Sequence, residues 1–135
     1  MNYRDEYTLP DRDFSLLKGK TIVEFYDLEK GSEDVTIKCS DGTKYVMYYS
    51  HDCCATCDIE DIIGDPNDLL NSELLLAEEV ISHENPKDQE YPDDSFTWTF
   101  YKLSTIKGSV TLRWYGSSNG YYSESVTFKQ LENWK

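Results

Sequence analysis

The sequence predicts a mainly β fold, α+β at most: about six antiparallel strands in one curved sheet or a small sandwich, with one or two short helical turns. Three observations predict it. Runs rich in β-branched and aromatic residues recur along the chain, among them TIVEFYDL, VTIKCS, TKYVMYY, FTWTFYKLS and SVTLRWY. Turn dipeptides separate several of them, notably Asp41-Gly42 and Asn119-Gly120. No heptad run, internal repeat or low-complexity tract competes with that pattern. The length, 135 residues, suits a single domain with a real hydrophobic core. Eleven tyrosines fit half-buried sheet faces, because each has a ring to bury and a hydroxyl to keep wet.

Residues 1–13 have no usable period and read as a mobile arm. Asp13 can cap a short turn, Phe14–Lys18, that ends at Gly19. Thr21–Leu28 is the first strand and Glu29–Glu33 a turn. Closing the next hairpin on Asp41-Gly42 pairs Ile37 with Val46 and Val35 with Tyr48, and sets Cys39 opposite Lys44. A straight strand then carries His51 about 26 Å beyond Thr43. Cys39 is therefore kept from sharing an ion with His51.

Asp65 can cap one helical turn that begins at Pro66. Ser72–His83 mixes helical propensity with no clean period, and its second half reads as a strand. Residues 84–95 form a flexible polar loop with two prolines. Phe96–Ser104 is a strand with Phe96, Trp98 and Phe100 on one face and Thr97, Thr99, Tyr101 and Leu103 on the other. A turn around Ile106-Lys107-Gly108 leads to a strand in which Val110, Leu112 and Trp114 alternate with Thr111, Arg113 and Tyr115. A loop of Ser118-Asn119-Gly120 then returns Tyr121–Phe128 as its neighbour, pairing Leu112 with Val126 and Val110 with Phe128. The tail KQLENWK reads as a short helical end with Trp134 on the sheet.

Charge narrows the function. The net charge is −13, and residues 51–100 carry 14 acids against a single base, Lys87. Residues 1–50 are net −3 and residues 101–135 net +3. Direct binding of nucleic acid is disfavoured, since it requires Lys and Arg to neutralise phosphates. A cation or a protein with a basic surface fits better. No stretch approaches the roughly 20 apolar residues of a membrane span, so no membrane partner is expected. The N-terminus is polar and acidic rather than signal-like. The expected location is the cytoplasm, with reduced cysteines.

Chemistry concentrates in His51–Asp65, HDCCATCDIEDIIGD. The candidate metal or functional cluster is His51, Asp52, Cys53, Cys54, Cys57, Asp58, Glu60, Asp61 and Asp65. Cys54 and Cys57 have the C-x-x-C spacing of thiolate zinc ligands, but no second such pair exists. The zinc signal is therefore weak, and reduced cysteines, packed or in a loop, are the preferred reading. A redox site would need a helix after the motif, and DIEDIIGDP is a poor one. In a strand, Asp58 and Glu60 would fall on one face and Asp61 on the other. The calcium-loop pattern is absent, so a calcium or magnesium site would be a loose one. A solvated loop or a charged edge strand accounts for the same acids. Cys53 or Cys54 with His51 or His83 could form a nucleophile–base pair, but nothing fixes the geometry. No residue is therefore assigned as catalytic and no cofactor is required. Arg113 and Lys102 on aromatic strands suggest a nucleic-acid sheet, although such a stripe is usually core.

Several segments together resemble a family of small phage and prophage proteins catalogued as a domain of unknown function. The matching stretches are Ser40–Tyr48, His51–Asp65, Leu76–Val80 and Ser95–Tyr122, with FTWTFYKLSTIKGSVTLRWYGSSNGYYSE the most specific. The resemblance implies a phage or prophage origin and a bacterial cytoplasm. Asp52-Cys53-Cys54 looks like the family's own motif, whereas Cys57 departs from it. The family implies no activity.

Three functions follow as expectations. One is a non-enzymatic accessory protein that binds a basic host or phage protein, in the manner of a nucleic-acid mimic or an anti-defence protein. Another is a metal-binding module or a small metal-dependent or cysteine enzyme built on residues 51–65. The last is a small-ligand binder lined by Tyr115, Tyr121 and Tyr122.

Overall fold

The computed structural model describes residues 13–49, 56–82, 95–118 and 126–131. The arm (1–12), most of the polar loop (83–94), the stretch 50–55, the loop 119–125 and the tail from 132 lie outside the described residues. Eight strands are formed among the described residues: β1 (Ile22–Tyr26), β2 (Asp34–Cys39), β3 (Lys44–Tyr49), β4 (Thr56–Ile63), β5 (Leu76–Ser82), β6 (Ser95–Thr105), β7 (Gly108–Ser118) and β8 (Val126–Leu131). They make two antiparallel four-stranded sheets, ordered β1-β2-β3-β8 and β4-β7-β6-β5. The only helical pieces among the described residues are two 3-10 turns, Phe14–Leu17 and Pro66–Leu69. None is long and apolar enough to cross a membrane.

Both turns form where their caps require. The Asp13 and Asp65 carboxylates accept from the N–H of Ser15 and Asn67, two residues on. Phe14 then joins the sheets. Its ring lies 4.5 Å from Tyr101 of β6 and 5.2 Å from Phe128 of β8. One buried cluster runs through both sheets, from Val35, Ile37, Tyr45 and Met47 to Leu103, Val110, Leu112 and Trp114. Alternation in β7 therefore points the way the sequence indicates. The expected division of β6 into two faces also holds, with Tyr101 and Leu103 on the face in the cluster.

Four expectations are corrected. First, the β2–β3 hairpin closes on three residues, not two. Cys39 bonds Thr43, Gly42 adopts a left-handed φ of 92°, and the Asp41 carboxylate takes the Thr43 N–H at 3.0 Å. Ile37 thus faces Tyr45, Val35 faces Met47, and Lys38 rather than Cys39 opposes Lys44. The one-residue slip turns Val46 and Tyr48 to the opposite face, where they pack with Leu131.

Second, β8 does not pair with β7. Both edges of β7 are taken, by β6 and β4, and β8 instead pairs with β3, placing Phe128 opposite Met47. There Phe128 stacks on Tyr45, ring centres 5.5 Å apart. Third, Lys129–Leu131 continue this strand rather than starting a helix. Fourth, the stripe Phe96, Trp98 and Phe100 is not part of the shared core. It lies on the outer face of the second sheet, opposite to Tyr101 and Leu103.

Candidate functional site

Five acids of the middle segment, Asp58, Glu60, Asp61, Glu78 and Glu79, are carried by the two edge strands of the second sheet. β4 forms one edge. Its sequence CDIEDII places apolar residues at 57, 59 and 62, which breaks strict alternation. A bulge between Ile59 and Asp61 absorbs the extra residue. Cys57 and Ile59, each 1% exposed, face the core before it, and Ile62 packs against the core after it. The bulge also undoes the expected split of the acids. Glu60 and Asp61 both reach Arg113 of β7, at 2.5 and 3.7 Å, and Lys30 from the β1–β2 loop reaches Asp61 at 3.2 Å. The Lys30 ammonium holds the Asp61 carboxyl below its ordinary range.

Above this ion cluster the outer face is aromatic. Trp98 lies 4.6 Å from Tyr115, and the Arg113 guanidinium sits 5.4 Å from the Trp98 ring centre. Trp98 is only 2% exposed, although it stands apart from the shared core. Asp58 opposes Tyr115 in the ladder. The aromatic surface is thus filled by its own neighbours, and its arginine is engaged by two carboxylates.

The other edge is β5. Its seven residues pair with β6 in unbroken register, from Leu76 opposite Ser104 to Ser82 opposite Trp98. Glu78 opposes Lys102, and Glu79 opposes Tyr101. Burial, with the Glu79 charge, raises the Tyr101 phenol well above its usual range. Leu76 and Ile81 remain exposed on this strand.

The residues singled out by sequence are therefore dispersed. His51, Asp52, Cys53, Cys54, Tyr121 and Tyr122 lie outside the described residues. Cys57 points into the core. Asp65 caps the second 3-10 turn. Glu60 and Asp61 are held by Arg113 and Lys30, so a cation there would have to displace them. Among the described residues no three His, Cys, Asp or Glu side chains gather as a metal ion requires. Cys39 is buried, which raises its thiol and makes it a poor nucleophile. Sequence reasoning missed Lys30, while the strand it placed in the second half of Ser72–His83 is β5. The break in alternation at Glu60 was the available sign of the bulge.

A protein-family model matches residues 15–128, and its description is a domain of unknown function. No curated protein and no solved structure matches the chain.

Proposed function

The chain belongs to the DUF7448 family, and on that footing we propose that it is a non-enzymatic acidic binding protein that docks on the basic surface of another protein. One observation carries this reading: 14 acids against one base between residues 51 and 100. On β4, Glu60 and Asp61 are neutralised internally, while on β5 Glu78 and Glu79 stay exposed. A surface of that kind speeds encounter with a basic partner and rejects acidic ones. The phage setting implied by the sequence resemblance gives such a protein its work. It would occupy a host or phage surface that otherwise grips nucleic acid.

The test is capture of proteins from a bacterial lysate on the immobilised full chain at low and high salt. Basic proteins that are held at low salt, released at high salt and displaced by DNA support the reading. Capture indifferent to salt would sink it. Elemental analysis of protein purified without chelators separates it from the metal-module reading. About one tightly held divalent ion per chain, with loss of stability on chelation, would overturn the proposal in favour of that module.

A further inference from the structure

We propose that the interior of the sandwich beside Tyr101 and Trp114 is a binding site for a small uncharged molecule that carries an acceptor oxygen on an apolar body. The site is separate from the acidic surface, and the docking reading above stands or falls without it.

Two hydrogen-bond donors carry the inference. Tyr101 and Trp114 belong to the cluster that runs through both sheets, and each is 0% exposed. In the β6–β7 ladder Tyr101 opposes Leu112 and Thr99 opposes Trp114, so the two rings are diagonal neighbours on the inner face. Such positions lie about 7–8 Å apart, within reach of one small molecule. Among the described residues neither Tyr101 Oη nor Trp114 Nε1 has a hydrogen-bond partner. A buried donor without an acceptor gives up its hydration for nothing, and folded interiors keep few of them. The Glu79 carboxylate is near enough to raise the Tyr101 phenol, which therefore keeps its proton, but it is not bonded to it.

The surroundings specify the occupant. The neighbours of the two donors are apolar: Phe14 lies against the Tyr101 ring, Leu112 opposes Tyr101, and Ile59 opposes Trp114. Both polar groups donate, so the molecule must accept. Lys129 is the only buried cation among the described residues, and it opposes Val46 on the outer face of the first sheet. An anion would thus be buried without a counter-charge, and Glu79 would repel it. A cation would find no acceptor on either donor. An uncharged carbonyl compound meets every condition. Solvent reaches the same face from β5. Glu79 opposes Tyr101 and Ile81 opposes Thr99, so both point inward, yet Glu79 is exposed and Ile81 is 50% exposed. Tyr101 is one strand in from these side chains, and Trp114 two.

The probes are acetophenone and ethylbenzene, which share a ring and a similar shape and differ in the acceptor oxygen. Each is titrated onto the isotope-labelled full chain. The readout is the indole N–H resonance of Trp114, assigned by sequential connectivity in the unmutated chain. The expected result is that acetophenone moves this resonance and binds about tenfold or more tighter than ethylbenzene, the gain of one net hydrogen bond. Tyr101→Phe keeps the ring and removes one donor. It should weaken acetophenone about fivefold or more and leave ethylbenzene unchanged. Equal affinity of the two probes, or acetophenone binding that Tyr101→Phe does not weaken, overturns the proposal. So does a Trp114 resonance that neither probe moves at millimolar concentration, and a cross-peak from that N–H to long-lived water would then assign the donors to water instead. None of these outcomes touches the acidic-binder reading, which the lysate capture decides on its own.

Discussion

The two edges of the second sheet are both acidic and are protected in different ways. At β4 the chain closes its own edge. The β1–β2 loop bonds both backbone groups of Ile59, a bulge follows, and Arg113 and Lys30 hold Glu60 and Asp61. At β5 the ladder is regular, the 3-10 turn Phe14–Leu17 packs beside the strand, and exposed Glu78 and Glu79 lie between exposed Leu76 and Ile81. What sets β4 apart is the loop that bonds both backbone groups of Ile59, with Lys30 and Arg113 adding ion pairs to Asp61 and Glu60.

Truncating one isoleucine on each edge should separate the two strands most. Ile59→Ala empties a site that is 1% exposed and should cost about 2–4 kcal/mol in urea unfolding. Ile81→Ala removes a half-exposed side chain and should stay within about 0.5 kcal/mol. Equal losses would mean that β4 is not the docked edge.

The turn leaving β4 gives the next largest effect. Gly64 has φ of 105°, and a Cβ there would collide with the Ser109 carbonyl and come within 3.2 Å of the Val110 Cα. Gly31 also has positive φ, 87°, but faces open space. Gly31→Ala should cost about 1–2 kcal/mol from backbone strain alone. Gly64→Ala should cost more, because β7 backbone must move. Thermal melts of the pair decide it, and equal shifts would show that β4 is not seated tightly on β7.

Removing Arg113 tests the ion cluster. Arg113→Met leaves Glu60 and Asp61 adjacent without their shared cation and should lower stability by about 1 kcal/mol. Amide exchange should quicken at Glu60–Ile62 and not in β5. Acid should do the same in the native protein. The Asp61 pKa is lowered in the fold. Its contribution is therefore present above the ordinary carboxylate range and lost as pH falls through the folded value. Exchange at β4 that is indifferent to acid would show that Lys30 and Arg113 do not close this edge.

These edges were unequally legible in the sequence. β7 could be read residue by residue, because Val110, Leu112 and Trp114 alternate cleanly into the core, whereas in β6 the two faces were legible but not which of them enters the shared core. The Asp41-Gly42 turn was visible, but its length was not. The Asp41 carboxylate reaches Thr43 and adds a residue to the loop, and that shift moved Val46 to the other face. The partner of β8 was hidden for a different reason. Val126 and Phe128 alternate as well against β3 as against β7, and only the packing of β4 on β7 removes the choice. β4 showed as a row of acids because its bulge breaks the period. β5 showed as no period at all, since an edge strand that is partly exposed on both faces need not alternate. Of the candidate site, sequence singled out Asp58, Glu60 and Asp61, but not Lys30 or the pairing of Glu60 and Asp61 with Arg113.

The smallest effect calibrates how much an ion pair can hold. Lys20, just before β1, reaches Asp41 in the β2–β3 turn at 2.6 Å. Partial burial would raise the Asp41 carboxyl, but hydrogen bonds from Lys20 and Thr43 outweigh it and bring it down to about 2. The stabilisation is complete above the ordinary value near 3.9 and fades as pH falls toward about 2. Lys20→Met should move Asp41 upward in a carboxyl NMR titration. It should leave it below the ordinary range, because the Thr43 N–H and O–H still donate. With Asp41 45% exposed, the loss at neutral pH should be under about 1 kcal/mol. If this close pair contributes so little, the pairs at β4 contribute no more. The closed edge then owes its closure to the backbone bonds of Ile59. A loss well above that figure would reverse the argument and make the cations, not the loop, what separates the two edges.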